Sequence, residues 1–103
     1  MIYLPEELEL LLKSTMKTIG FKRNSGNLEI NEYEVQNLKT IDYCDSSDYL
    51  FDVVMIFEEK NIKLLFKKEF KTALNQNFAV QNMSLINIEN NRVQVAISCT
   101  QNI

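Results

Sequence analysis

Carboxylates and phenols set side by side are the main chemical resource of this chain. In residues 41–52 (IDYCDSSDYLFD), Asp42, Asp45, Asp48 and Asp52 are interleaved with Tyr43 and Tyr49. Carboxylates pair with Lys or Arg and tyrosine offers a rigid amphipathic ring, so the mixture suits a protein interface. The same segment also reads as a turn, with Asp45, Ser46, Ser47 and Asp48 bonding the local backbone and both tyrosines packed at a sheet edge. Acids at every third position do not match the one-in-two ligand spacing of an EF-hand loop, and no Gly follows, so neither calcium nor any other metal or cofactor is expected.

Other chemistry lacks its residues. The chain has no His, no Trp, two Gly and two Cys. Most nucleophile-and-base pairs, zinc sites and Gly-rich phosphate cradles therefore cannot be assembled. Cys44 lies between Asp42 and Asp45, acids that raise a thiol pKa, and Cys99 has no activating partner in sequence. Both read as free thiols of a reducing, cytosolic compartment. Glu6, Glu7 and Glu9 have the wrong sign for a secretory leader, and no apolar run approaches the ~20 residues of a membrane span.

One segment carries an enzymatic signal. Glu58-Glu59-Lys60 follows an apolar strand and precedes a second helix, a layout that resembles the PD-(D/E)xK nucleases over about a third of the chain. The resemblance implies that Glu58 and Asp45 or Asp48 hold a divalent metal while Lys60 assists the attacking water. The chain departs from that pattern, having no Pro-Asp and an acidic middle residue, and Glu69-Phe70-Lys71 matches the same short motif.

Charge is segregated along the chain. From Glu29 to Glu59 nine acids face one base, Lys39, a net of −8; from Lys60 to Lys71 five lysines face Glu69, a net of +4. Such an acidic region steers a basic protein partner and repels nucleic acid. Lys63, Lys67, Lys68 and Lys71 read as a solvated helix face with no aromatic platform for bases.

These residues need a scaffold, and 103 residues make one domain. A helix is expected from Pro5 to Ile19, with Leu8, Leu11, Leu12, Thr15, Met16 and Ile19 on one face, acids in its first turn and Gly20 as its stop. After a turn at Arg23 to Asn27, Leu28 to Tyr43 reads as extended, with Leu38 breaking the alternation, as a bulge would. Tyr49 to Phe57 is apolar on both parities except at Asp52, as in a central strand covered on both faces. Asn61 to Asn77 fits either period; helix is preferred, with Ile62, Leu65, Phe66, Phe70, Ala73 and Leu74 inward. Met83 to Glu89 and Arg92 to Cys99 flank Asn90-Asn91, a type I′ hairpin signal in which Ile88 faces Val93 and Ile86 faces Val95.

The expected fold is α+β, an antiparallel sheet of four to five strands with two helices packed on one face, in the order α-β-β-α-β-β. The expected function is stoichiometric binding of a basic protein, as an inhibitor or immunity protein that occludes a toxin or a nucleic-acid-binding enzyme. The docking residues would be Asp42, Tyr43, Asp45, Asp48, Tyr49 and Asp52, with no nucleic acid and no membrane involved. A structural role is the alternative, as a phage tail or neck subunit or a secretion chaperone, with the sheet edge making an oligomer. An abundance of Asn, Lys and Ile is the bias of an AT-rich genome, such as a low-GC bacterium or its phage.

Overall fold

The computed structural model describes residues 4–24 and 26–103. Helix α1 covers Glu6–Thr18, with Pro5 as its N-cap and Glu6, Glu7 and Glu9 at the positive end of its dipole. Its C-terminus closes as the sequence demands. Gly20, at φ 88°, donates its N–H to the Lys17 carbonyl at 3.1 Å, and Phe21 donates to the Met16 carbonyl at 2.8 Å. These two bonds make a Schellman motif, and both Phe21 and Met16 are buried. Leu8, Leu12, Thr15 and Met16 form the inward face.

Five strands make one sheet in the spatial order β1-β2-β3-β5-β4. Strand β1 is Lys22–Arg23, β2 is Glu32–Asp42, β3 is Ser47–Glu58, β4 is Ala79–Glu89 and β5 is Arg92–Asn102. All neighbours pair antiparallel except β1, which runs parallel to the start of β2 through Lys22↔Glu32 and Arg23↔Tyr33. The sheet is therefore mixed rather than wholly antiparallel. The expectation missed β1 because two polar residues carry no periodic signal. Ser25, in the expected turn at Arg23 to Asn27, lies outside the described residues.

Strand β2 begins at Glu32, after Asn31 (φ 63°), so the expected extended stretch loses its first residues. The irregularity foreshadowed at Leu38 is a bulge between Gln36 and Lys39, where Asn37 adopts φ 57°. Strand β3 is central and buried on both faces, as its apolar run requires. Phe51, Val53, Met55 and Phe57 join the main core, while Val54, 1% exposed, is covered on the helix-free face, where it pairs in register with Glu34 and Ala96.

The segment expected as one helix divides. A 3₁₀ helix spans Glu59–Phe66, Lys67 is extended, and α2 spans Lys68–Asn77. The order is thus α-β-β-β-3₁₀-α-β-β, with three helices instead of two. Leu64, Leu65 and Phe66 are consecutive and apolar, and one helix face cannot bury all three. The tighter winding of the 3₁₀ turns Leu65 into the core and leaves Phe66 70% exposed. Phe70, Ala73 and Leu74 of α2 are buried as expected, and Asn77 Nδ2 donates to Thr15 Oγ1 at 2.9 Å, tying α2 to α1.

The β4–β5 hairpin turns at Asn90 and Asn91, with φ 51° and 62°, the type I′ conformation their sequence favours. Ile88 falls opposite Val93, but a second irregularity at Ile86 places Leu85, not Ile86, opposite Val95. Strand β4 also begins at Ala79, four residues before the expected Met83. No helix among the described residues is long and apolar enough to cross a membrane.

Candidate functional site: the acidic hairpin tip

The two longest acidic strands, β2 and β3, meet in a tight turn. Tyr43 donates its N–H to the Ser46 carbonyl at 2.7 Å, leaving Cys44 and Asp45 exposed at the apex. Below it Ser47 and Ile103 exchange backbone bonds of 2.8 and 2.9 Å, so the end of the chain braces the hairpin.

The carboxylates are held by neutral donors. Ser47 Oγ donates to Asp42 Oδ1 at 2.6 Å. Asp48 receives two bonds, from Tyr43 Oη at 2.9 Å and from Asn102 Nδ2 at 2.7 Å. Among the described residues none of Asp42, Asp45 or Asp48 forms an ion pair. The expected turn forms, but the bonds to Asp42 and Asp48 come from side chains rather than the local backbone, none of the described bonds reaches Asp45, and Tyr43 is exposed rather than packed at the edge. The hydrogen bond to Asp48, followed by the charge of that carboxylate, raises the Tyr43 pKa, so its phenol stays neutral.

The six residues singled out in the sequence do not form one surface. Asp42, Tyr43, Asp45 and Asp48 gather at the tip. Asp52 lies further along β3 on the helix-free face, accepting Asn37 Nδ2 and Ser98 Oγ at 2.8 Å each. Tyr49 is half-buried and packs against the main core. Tyr43, 55% exposed, is the aromatic ring available to a partner.

A groove of about 680 Å³ borders the tip, lined by Ile41, Asp48, Gln76, Asn77, Thr100 and Asn102 among others. Ile41 is an exposed apolar side chain at its rim. Sequence reasoning missed this groove, because the β3–β5 pairing and the end of α2 bring together residues sixty positions apart. The only local signal was an unmatched Ile41 in an acidic strand.

The remaining candidates stand elsewhere. Glu58 and Lys60 pair with each other at 3.2 Å beside a groove of about 620 Å³ that includes Arg92 and Asn91. Asp48 is ten residues away along β3, or ~33 Å, so the carboxylates that the nuclease resemblance would join are at opposite ends of the sheet. Among the described residues no three His, Cys, Asp or Glu side chains cluster as metal ligands. Burial pushes the Cys99 thiol up to about 12, with Asp52 adding to the effect, so it is neutral and unreactive. Lys63, Lys67, Lys68 and Lys71 are exposed, and beside them is the exposed Phe66, an aromatic the expected helix had placed inside.

No protein-family model, curated protein or solved structure matches the chain.

Proposed function

We propose that the chain is a non-enzymatic binding module that docks its β2–β3 tip onto a basic surface of another protein, as a cytosolic inhibitor or immunity protein that occludes a toxin or a nucleic-acid-binding enzyme. One observation carries this reading: Asp42 and Asp48 are fixed by Ser47, Tyr43 and Asn102, yet among the described residues neither they nor Asp45 form an ion pair. A carboxylate already held in place loses little freedom on meeting Lys or Arg, which favours a preorganised charged contact. The exposed Tyr43 ring and the neighbouring Ile41 supply the apolar centre that such a contact needs. Opposite charge on the partner accelerates encounter, and the aromatic anchor slows release.

The test is capture of the partner from the native host followed by binding kinetics across a salt series. Charge reversal at Asp45 should slow association at low salt and matter less as salt rises, because exposed charges are screened beyond ~10 Å at 0.1 M. Tyr43→Ala should act chiefly on dissociation. Affinity indifferent to salt and to both substitutions, with the fold intact, would refute the proposal.

A second reading, an assembly component such as a tail or neck subunit or a secretion chaperone, is favoured by the long open edge of β4.

A further inference from the structure

Strand β4 ends the sheet, and among the described residues nothing pairs with its outer side. On the opposite edge β1 pairs only with Glu32 and Tyr33, and the rest of the outer side of β2 carries Glu34, Lys39 and Asp42, charges that blunt it. Natural edge strands are blunted by lysine, proline or a short length, because a free row of N–H and C=O groups recruits another strand. Here β4 runs eleven residues, and from Ala79 to Ile88 it contains no charged residue and no proline; its protection is limited to two irregularities, between Val80 and Asn82 and between Leu85 and Asn87. Leu85 and Ile86 on this strand are 57% and 53% exposed.

The geometry points to a second copy of this chain as the occupant, joined β4 to β4 in antiparallel register about a two-fold axis at Ser84. The register follows from the faces. Met83 and Leu85 lie opposite Ile97 and Val95, on the helix-covered side, whereas Ser84 lies opposite Ala96, on the bare side. Directly opposed residues of an antiparallel pair share a face. An axis at Ser84 sets Ser84 against itself and Leu85 of each copy against Met83 of the other, so the exposed Leu85 gains an apolar neighbour twice. Ala79 then opposes Glu89, both on the bare side. The two Glu89 carboxylates, the only charges of the paired strands, end ~34 Å apart and do not repel.

The size is adequate. The strand is ~37 Å long, and the molecule is 21 Å through its thinnest dimension. A face of that outline approaches the ~800 Å² per partner of a standard interface. A two-fold, self-complementary contact closes on itself, giving one ten-stranded sheet and no filament. Both acidic tips remain free, two strands removed from the joined edge, so the dimer stands whether or not the tip binds a basic protein.

Sedimentation of the full chain at tens of micromolar should give twice the 12.0 kDa chain mass. Leu85→Lys and Ser84→Lys, both at exposed positions, should each weaken dimerisation by more than ~10-fold, because the symmetry applies every substitution twice. Their circular dichroism should match the parent. Register is read separately in a Cys44→Ser background. Ser84→Cys should form a disulfide-linked dimer under mild oxidation, since opposed Cβ atoms are ~5 Å apart. Asn82→Cys should not, as its symmetry mate is displaced by ~14 Å. A chain that sediments as a monomer at these concentrations, a dimer indifferent to both lysines, or equal cross-linking at Ser84→Cys and Asn82→Cys overturns the proposal.

Discussion

The β2–β3 and β4–β5 hairpins have almost the same length and opposite characters. In β2–β3 the strand β3 is paired on both sides, β2 has an outer neighbour only at Glu32 and Tyr33, and charge collects at the tip, where water can solvate it. In β4–β5 the inner strand is buried at every second position, from Val93 to Cys99, while its partner β4 leaves Leu85 and Ile86 in solvent. The open outer side of β2 beyond Tyr33 carries Glu34, Lys39 and Asp42, charges that discourage strand addition. The edge strand β4, uncharged from Ala79 to Ile88, lacks that protection and is the surface the proposed dimer would cover.

The sharpest way to break this comparison is to excavate the shared core and the free edge separately. Phe57 of β3 is 1% exposed and stacks with Phe21 and Phe70 at centroid distances of 4.9 and 6.1 Å. Phe57→Ala should cost about 3–5 kcal/mol in denaturant unfolding. Leu85→Ala, measured at concentrations dilute enough for the monomer, should stay within ~0.5 kcal/mol. Comparable losses would mean that β4 is as integral to the fold as β3. The same contrast applies within the 3₁₀ helix: Leu65→Ala should cost about 2–5 kcal/mol, and Phe66→Ala almost nothing.

Much of this scaffold was legible in the sequence, for physical reasons that also mark the limits. The apolar spacing from Leu8 to Met16 and the Asn90-Asn91 turn are local signals with the expected form, and the burial on both faces expected of Tyr49 to Phe57 is complete from Val53 to Phe57. The break at Lys67 was not legible, because the sequence from Asn61 to Asn77 satisfies a continuous helical period and only packing against the sheet selects the 3₁₀ winding. Of the site, the acids at the tip could be named from spacing, whereas the donors that hold them include Asn102, distant in sequence and adjacent only through the β3–β5 pairing. That pairing also removed Asp52 to another part of the sheet and folded Tyr49 against the core.

The bulge in β2 offers a smaller effect that tests how the acidic hairpin is held. Asn37 adopts a left-handed backbone, φ 57°, and donates to Asp52 Oδ2 at 2.8 Å. Asn37→Ala forces a Cβ-bearing residue without a local polar side chain into that region and removes the bond, a loss of about 1–2 kcal/mol. Asn37→Gly keeps the backbone permissive and should recover most of the difference. If Ala and Gly proved equivalent in chemical denaturation, the bulge would be held by its neighbours and not by Asn37.

The smallest effect is spectroscopic and separates a tyrosine of the core from one of the tip. Burial pushes the Tyr33 phenol up to about 12, outweighing the nearby Arg23, which lowers it, and its hydroxyl has no hydrogen-bond partner among the described residues. Tyr43 is raised for another reason, its bond to the charged Asp48. A folded-state pKa above the unfolded value means that the neutral phenol is favoured by the fold. Each contribution to stability is therefore full below pH ~10 and lost as pH rises through the folded value. Absorbance at 295 nm should show Tyr33 ionising last, near pH 12, together with unfolding, and Tyr33→Phe should remove that late step. Asp48→Ala should move Tyr43 back toward the ordinary phenol range and leave Tyr33 unmoved. A Tyr43 titration indifferent to Asp48→Ala would show that the tip acids are not fixed by their hydrogen bonds, and with that the preorganisation argued for the acidic hairpin would fall.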